Sequence, residues 1–200
     1  MNVISNILYW ISTGLLVPVI VLLIFFFIRA IIMIGAFFGQ YLNEKRLTAP
    51  LCRQLQLLTP ASLTDFSASL PERPSTLVGA YAARIIAAAG NSPRIDLLLS
   101  EYEIEADKNI ATSKILTKMG PILGLMGTLI PMGPALVGLA SGDIASMAYN
   151  MQVAFATTVV GLFAAAIGFI TGQVKQRWYL KEMTDLEFVA ELLNEKRTGA

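Results

Sequence analysis

Residues 124–136 read GLMGTLIPMGPAL and lie inside an uncharged run of 22 residues, Met119 to Ala140. At about 1.5 Å per residue, a helix of that length crosses the hydrocarbon core of a bilayer. A helix that serves only as an anchor is usually built from Leu, Ile, Val and Phe. This one carries Gly124, Gly127 and Gly133, Pro131 and Pro134, and a lone hydroxyl on Thr128. The stretch therefore reads as a membrane helix with a surface to present, and the rest of the chain can be placed around it.

The composition agrees with a membrane location. Of 200 residues, 55% are hydrophobic and 14% charged, with a mean hydropathy of +0.63, which points to an integral membrane protein. The net charge of +1 gives no basis for a nucleic-acid partner. Histidine is absent, which removes the commonest metal ligand and the side chain that titrates near neutrality. Cys52 is the single cysteine, so it can form neither an internal disulfide nor a thiolate metal site alone. There is no GxSxG, HExxH or P-loop motif. The sequence thus predicts no enzyme, no metal and no cofactor. The N-terminal apolar run has no basic residue before Arg29 and is too long for a cleaved signal, so it reads as a span.

Three segments reach spanning length: about Ile7 to Phe38, 119–140, and about Met151 to Gly172. The first is overlong and must tilt, kink at Pro18 or continue beyond the bilayer. Lys and Arg set the orientation. Residues 1–28 and 141–150 have none, 41–118 have nine, and 173–200 have five. The positive-inside rule then places the N-terminus and the 141–150 loop outside, and 41–118 and the C-terminus in the cytoplasm. The expected organisation is a first transmembrane helix (1–40), a cytoplasmic helical insert (41–118), a two-helix membrane core (119–172) and a cytoplasmic C-terminal helix (173–200). The fold class is all-α.

Within the insert, 41–58 continue the first span with an expected break at Pro50. Residues 59–76 read as a loop, and LVGAYAARIIAAAG (77–90) as a short packed helix. From Pro93 the chain runs without Gly or Pro to the membrane, which predicts one long helix through the second span. Residues 173–196 extend the third span, with Leu186, Val189, Ala190 and Leu193 on one face.

The first span is bulky all round (VIVLLIFFFI, 19–28) and suits lipid. The other two carry small-residue faces: Gly120 with Gly124, Gly127, then Thr157, Gly161 and Ala165, and Ala164, Gly168 and Gly172. Such faces let helix backbones approach closely in a membrane. With few partners in one chain, they suggest an oligomer. Pro121, Pro131 and Pro134 shape the helix and are tolerated inside bundles. Thr128 and Thr158 lie near the middle of their spans. A single membrane threonine is often satisfied by its own helix; two at similar depth, each beside a small-residue face, favour a shared polar lining. Asp143, in SGDIASM, reads as the N-cap of the third-span helix.

GPILGLMGTLIPM (120–132) and MQVAFATTVVGLFAAAIGF (151–169), in this order and topology, resemble the second- and third-span signatures of the MotA/TolQ/ExbB proton-channel family. The resemblance covers nearly the whole chain. It implies a homopentamer around a dimer of a single-span partner of the ExbD, TolR or MotB type, with the pore lined by spans two and three. It also implies that an ion-motive force drives movement of one component against the other in a bacterial or archaeal inner membrane. By motif, Thr128 in GLMGT and Thr158, three residues before Gly161, match the family's pore-facing threonines. Thr157 is an additional hydroxyl. Adjacent helical residues point about 100° apart, so Thr157 and Thr158 cannot both face the pore equally. The sequence departs from the family pattern at Pro131 and Pro134, and its short insert lacks a large torque-interface region.

Residues 119–140 and 144–172 hold no Asp, Glu, Lys, Arg or His. A proton relay needs a titratable group at that depth, so the resemblance assigns it to an aspartate on the partner helix. Threonine hydroxyls can donate to that carboxylate or accept from its acid form. The alternatives are a non-conducting scaffold or small-solute transporter component, and a lytic pore former, against which the ordered insert and long tail argue.

Overall fold

The computed structural model describes residues 2–58 and 76–198, all in helices and short turns. The loop expected over 59–76 lies outside the described residues except for Thr76. In chain order the elements are α1 (Asn2–Gly14), α2 (Leu16–Asn43), a π-helical turn (Glu44–Thr48), α3 (Ala49–Gln56), α4 (Leu77–Ala87), α5 (Ser92–Ala140) and α6 (Ile144–Thr198). Three stretches, Ile7–Gln56, Ser92–Ala140 and Ile144–Asn194, are long and apolar enough to cross a membrane. The expected spans fall inside them. The fold is an all-α membrane architecture, and no strand occurs among the described residues.

Local chemistry sets the boundaries. Pro18 has no N–H for the carbonyl of Gly14 four residues back, and α1 gives way to α2 at that point, between Gly14 and Leu16. The break expected at Pro50 is replaced by the π turn just before it. Pro50 itself sits in the first turn of α3, where a missing N–H is harmless. Thr76 caps α4, its Oγ1 accepting from Gly79 N at 3.2 Å. Asn91 does the same for α5, accepting from Arg94 N at 3.2 Å. The α5–α6 connection turns on Gly142, whose φ of 76° is left-handed and suits glycine. Asp143 then starts α6, its Oδ1 accepting from Ser146 N at 3.0 Å, as the sequence predicts.

The chain divides into two compact units. The first comprises Met1–Gly35 and Thr112–Gly172. In it, Val19 and Leu23 of α2 pack on Leu123 of α5, with Phe26, Met126, Ile130 and Val160 around them. Ala30 and Met33 pack with Leu116, Ala164 and Ile167. Most other large side chains of α2, among them Val17, Val21, Ile24, Phe25, Ile28 and Ile32, remain exposed. In water that surface would be an aggregation liability; in a bilayer it is the natural lipid face.

The second unit comprises Ala36–Ala111 and Gln173–Ala200. It has an ordinary hydrophobic core. Cys52 and Leu55 of α3, Val78, Ala82 and Ile85 of α4, Ile95, Leu98 and Tyr102 of α5, and Leu186, Val189 and Leu193 of α6 are all buried together. The α6 face expected from Leu186, Val189, Ala190 and Leu193 is the buried one. Tyr81 meets Tyr102 edge-on at 5.5 Å between centroids, and Phe37 stacks on Trp178 at 5.7 Å.

Candidate functional site

In the first unit, α5 and α6 run antiparallel and nearly touch through their glycines. A Cβ placed on Gly161 would sit 2.6 Å from the carbonyl oxygen of Gly120 and 2.9 Å from Cα of Gly124. A Cβ on Gly120 would meet the carbonyl oxygen of Gly161 at 2.6 Å and Cβ of Ala165 at 3.1 Å. Gly168 is equally tight against Cβ of Leu116 and the carbonyl oxygen of Ser113, each at 2.8 Å. The structure therefore brings Gly120, Gly124, Gly161, Ala165 and Gly168 into one seam within a single chain.

The threonines divide around this seam. Thr157 is 8% exposed. Its side chain fills the space over Gly127, where an added Cβ would come within 2.6 Å of both Cβ and Oγ1 of Thr157. Its hydroxyl donates to the carbonyls of Ala154 at 2.9 Å and Val153 at 3.1 Å. Thr158 lies on the other side of the contact, its Cα 3.5 Å from a Cβ placed on Gly124. It is half-buried and donates to Ala154 O at 3.2 Å. Thr128, one helical turn beyond Gly124 on α5, is also half-buried and donates to Leu125 O at 2.7 Å. Each hydroxyl thus spends its proton on its own helix and keeps acceptor lone pairs.

Pro121 (exposed), Pro131 (buried) and Pro134 (half-buried) all lie inside α5, which continues through them. A proline leaves the carbonyl four residues earlier without its helical amide. Here those carbonyls belong to Thr117, Gly127 and Ile130. The prolines therefore add backbone acceptors to the otherwise uncharged 119–140 stretch of α5.

Sequence reasoning missed two polar groups. In the first unit, Ser113 and Thr171 are buried, with their hydroxyl oxygens 3.3 Å apart, and Ser113 donates to Met33 Sδ at 3.4 Å. In the second unit, Glu182 and Asp185 of α6 are 4% and 3% exposed. Tyr102 Oη donates to Glu182 Oε2 at 2.6 Å, and Gln56 Nε2 to Asp185 Oδ1 at 2.7 Å. The signal was present: Glu182 precedes Leu186, Val189 and Leu193 at steps of four, three and four, which puts an acid on the apolar face. Burial raises the Glu182 carboxyl to about 7, partly offset by the Tyr102 hydrogen bond. Burial also lowers Lys175, on α6 beyond the apolar stretch, below the usual lysine range. Among the described residues, no group of three His, Cys, Asp or Glu could hold a metal ion.

Residues 92–187, which include all of the α5–α6 seam, match the MotA/TolQ/ExbB proton channel family. This segment is a domain of that family, and the chain's three long apolar helices fit a membrane protein. Searches of curated proteins and of solved structures each found no match.

Proposed function

We propose that the chain is the multi-span subunit of an ion-motive-force-driven motor or energy transducer. Five copies surround a dimer of a single-span protein of the ExbD, TolR or MotB type in a cytoplasmic membrane. The N-terminus faces outward and the second unit faces the cytoplasm. The observation that carries this reading is the division of the threonines. Thr157 is consumed by packing inside the chain, while Thr128 and Thr158 stay partly open on neighbouring turns of the uncharged spans of α5 and α6.

The chemistry follows from that arrangement. The partner's aspartate supplies the titratable group that the spans lack. When it carries a proton, Thr128 and Thr158 accept from it through lone pairs their helices leave free. When it is charged, either hydroxyl can rotate and donate. Neutral hydroxyls hold the carboxyl at one depth without a fixed counter-charge that would trap it. The carbonyls of Gly127 and Ile130, released by Pro131 and Pro134, can order water on the same helix. Lipid covers the open face of α2.

Native mass spectrometry of the purified chain in detergent tests the assembly. Five copies, with added mass equal to two smaller chains when a partner is co-expressed, are expected. A persistent monomer or dimer under mild conditions leaves no central pore and overturns the reading in favour of a scaffold.

A further inference from the structure

The second unit contains a buried acidic centre that an ion pathway through the spans does not use. Glu182 and Asp185 stand one turn apart on α6 and face inward. The groups facing them are Tyr102 from α5, Cys52 and Gln56 from α3, and Glu44 from the π turn, with Tyr179 on α6 itself. None of these is a cation. Lys181 acts on Glu44, and among the described residues no Lys or Arg forms an ion pair with Glu182 or Asp185. Asp185 Oδ2 is buried without any hydrogen-bond partner. A buried carboxylate without a cation is normally expelled or neutralised. Glu182 has a route for its proton, because it borders a cleft of about 160 Å³ that Gln40, Thr48 and Trp178 also line.

We propose that Glu182 is a proton-operated latch that holds α3 and the π turn against α6. With Glu182 neutral, the centre carries one charge fewer, and Tyr102 and Gln56 satisfy one oxygen of each acid. With Glu182 charged, its carboxylate faces Asp185 on the same helix and Glu44 across the cleft, and the contact of α3 with α6 loosens.

The direction with pH is fixed by linkage. Burial raises the closed-state carboxyl from 4.5 to about 7. The latch is fully closed below pH 4.5. Its opening grows as pH rises from 4.5, by on the order of a hundredfold, and levels off above about 7. The latch needs no ion pathway, so its failure leaves the reading of Thr128 and Thr158 untouched.

Cys52, 2% exposed and beside Asp185, is a built-in reporter because it is the chain's single cysteine. The full chain in nanodiscs is labelled with a pyridyl disulfide, which reacts with thiols at acid pH, and each rate is divided by that of the denatured chain at the same pH. The normalised rate is expected to climb on the order of a hundredfold between pH 4.5 and 7 in the wild type. In Glu182→Gln, which cannot ionise, it should stay flat and low. Parallel curves for the two proteins overturn the latch. Should Glu182→Gln fail to fold, amide exchange of the wild type decides. Protection that falls over this window in α3 but not in α4, after correction for intrinsic rates, supports the latch; an equal fall in both helices, or none in either, overturns it.

Discussion

Gly120 and Gly161 approach so closely that a Cβ on either would lie 2.6 Å from the other's carbonyl oxygen. Both obstructions are backbone, which cannot rotate away. Gly120→Ala and Gly161→Ala must therefore push α5 and α6 apart, and overpacking of this kind costs roughly 1–3 kcal/mol. The chain's thermal midpoint in detergent should fall for both. Gly35→Ala meets nothing within 4 Å on an α-helix and should leave the midpoint unchanged or slightly raised. Equal behaviour of all three variants would contradict the seam.

Gly127 and Thr157 make a compensable pair. Gly127→Ala collides with a side chain rather than backbone, at 2.6 Å from Cβ of Thr157. Gly127→Ala alone is expected to lower stability by about 1–3 kcal/mol. Combining it with Thr157→Gly should recover part of that loss, and a double-mutant cycle measures the coupling. Additive losses would mean that the two residues do not share this space.

The division of the threonines predicts different phenotypes. Thr128→Val and Thr158→Val keep the shape and remove the hydroxyl, so ion-driven work by the complex should be lost while the oligomer on native gels stays intact. Thr157→Val removes a buried hydroxyl bonded within its own helix, with an expected stability change of only about 0.5–1.5 kcal/mol and work retained. Full activity in both of the first two variants would sink the proposed pathway.

Tyr102→Phe deletes one oxygen from a core of otherwise unchanged shape. A hydrogen bond to a charged acceptor contributes about 1.5–3 kcal/mol, more than one to a neutral acid. The loss on denaturation should thus be greater at pH 8, where Glu182 is ionised, than at pH 5, where it is neutral. Because that bond lowers the Glu182 carboxyl, its removal should move the acid's titration, followed by carboxyl infrared absorption, to higher pH. A shift in the opposite direction would show that Tyr102 does not serve the charged form.

Much of this architecture was legible in the sequence because bilayers impose long uniform constraints. The uncharged runs gave the spans, Pro93 lies at the start of α5, and Asp143 caps α6. The small-residue faces were readable as spacing, but not that the two spans of one chain would meet on them, nor which threonine would fill the contact. Thr157 and Thr158 are neighbours in sequence, and only the rotation of α6 about Gly127 separates a buried hydroxyl from a half-open one. Glu182 was hidden for another reason. A charged letter in an amphipathic helix is read as a solvated face, and only its spacing from Leu186 and Val189 marks it as inward. The π turn left no signature in EKRLT. It is a tertiary compromise, and local propensity does not encode it.

That turn carries a consequence for how this part of the chain tolerates length changes. A π-helical turn spends one more residue than an α-helical turn over a similar rise. Removing a single residue from Glu44–Thr48 would restore the ordinary pitch and leave the residues after it on nearly the same face. Cys52 and Leu55 would then stay in the core shared with Val78 and Ile85, whereas the same deletion inside α3 would turn the residues after it by about 100° and draw polar neighbours inward. A one-residue deletion in the π turn should thus be better tolerated than a one-residue deletion inside α3.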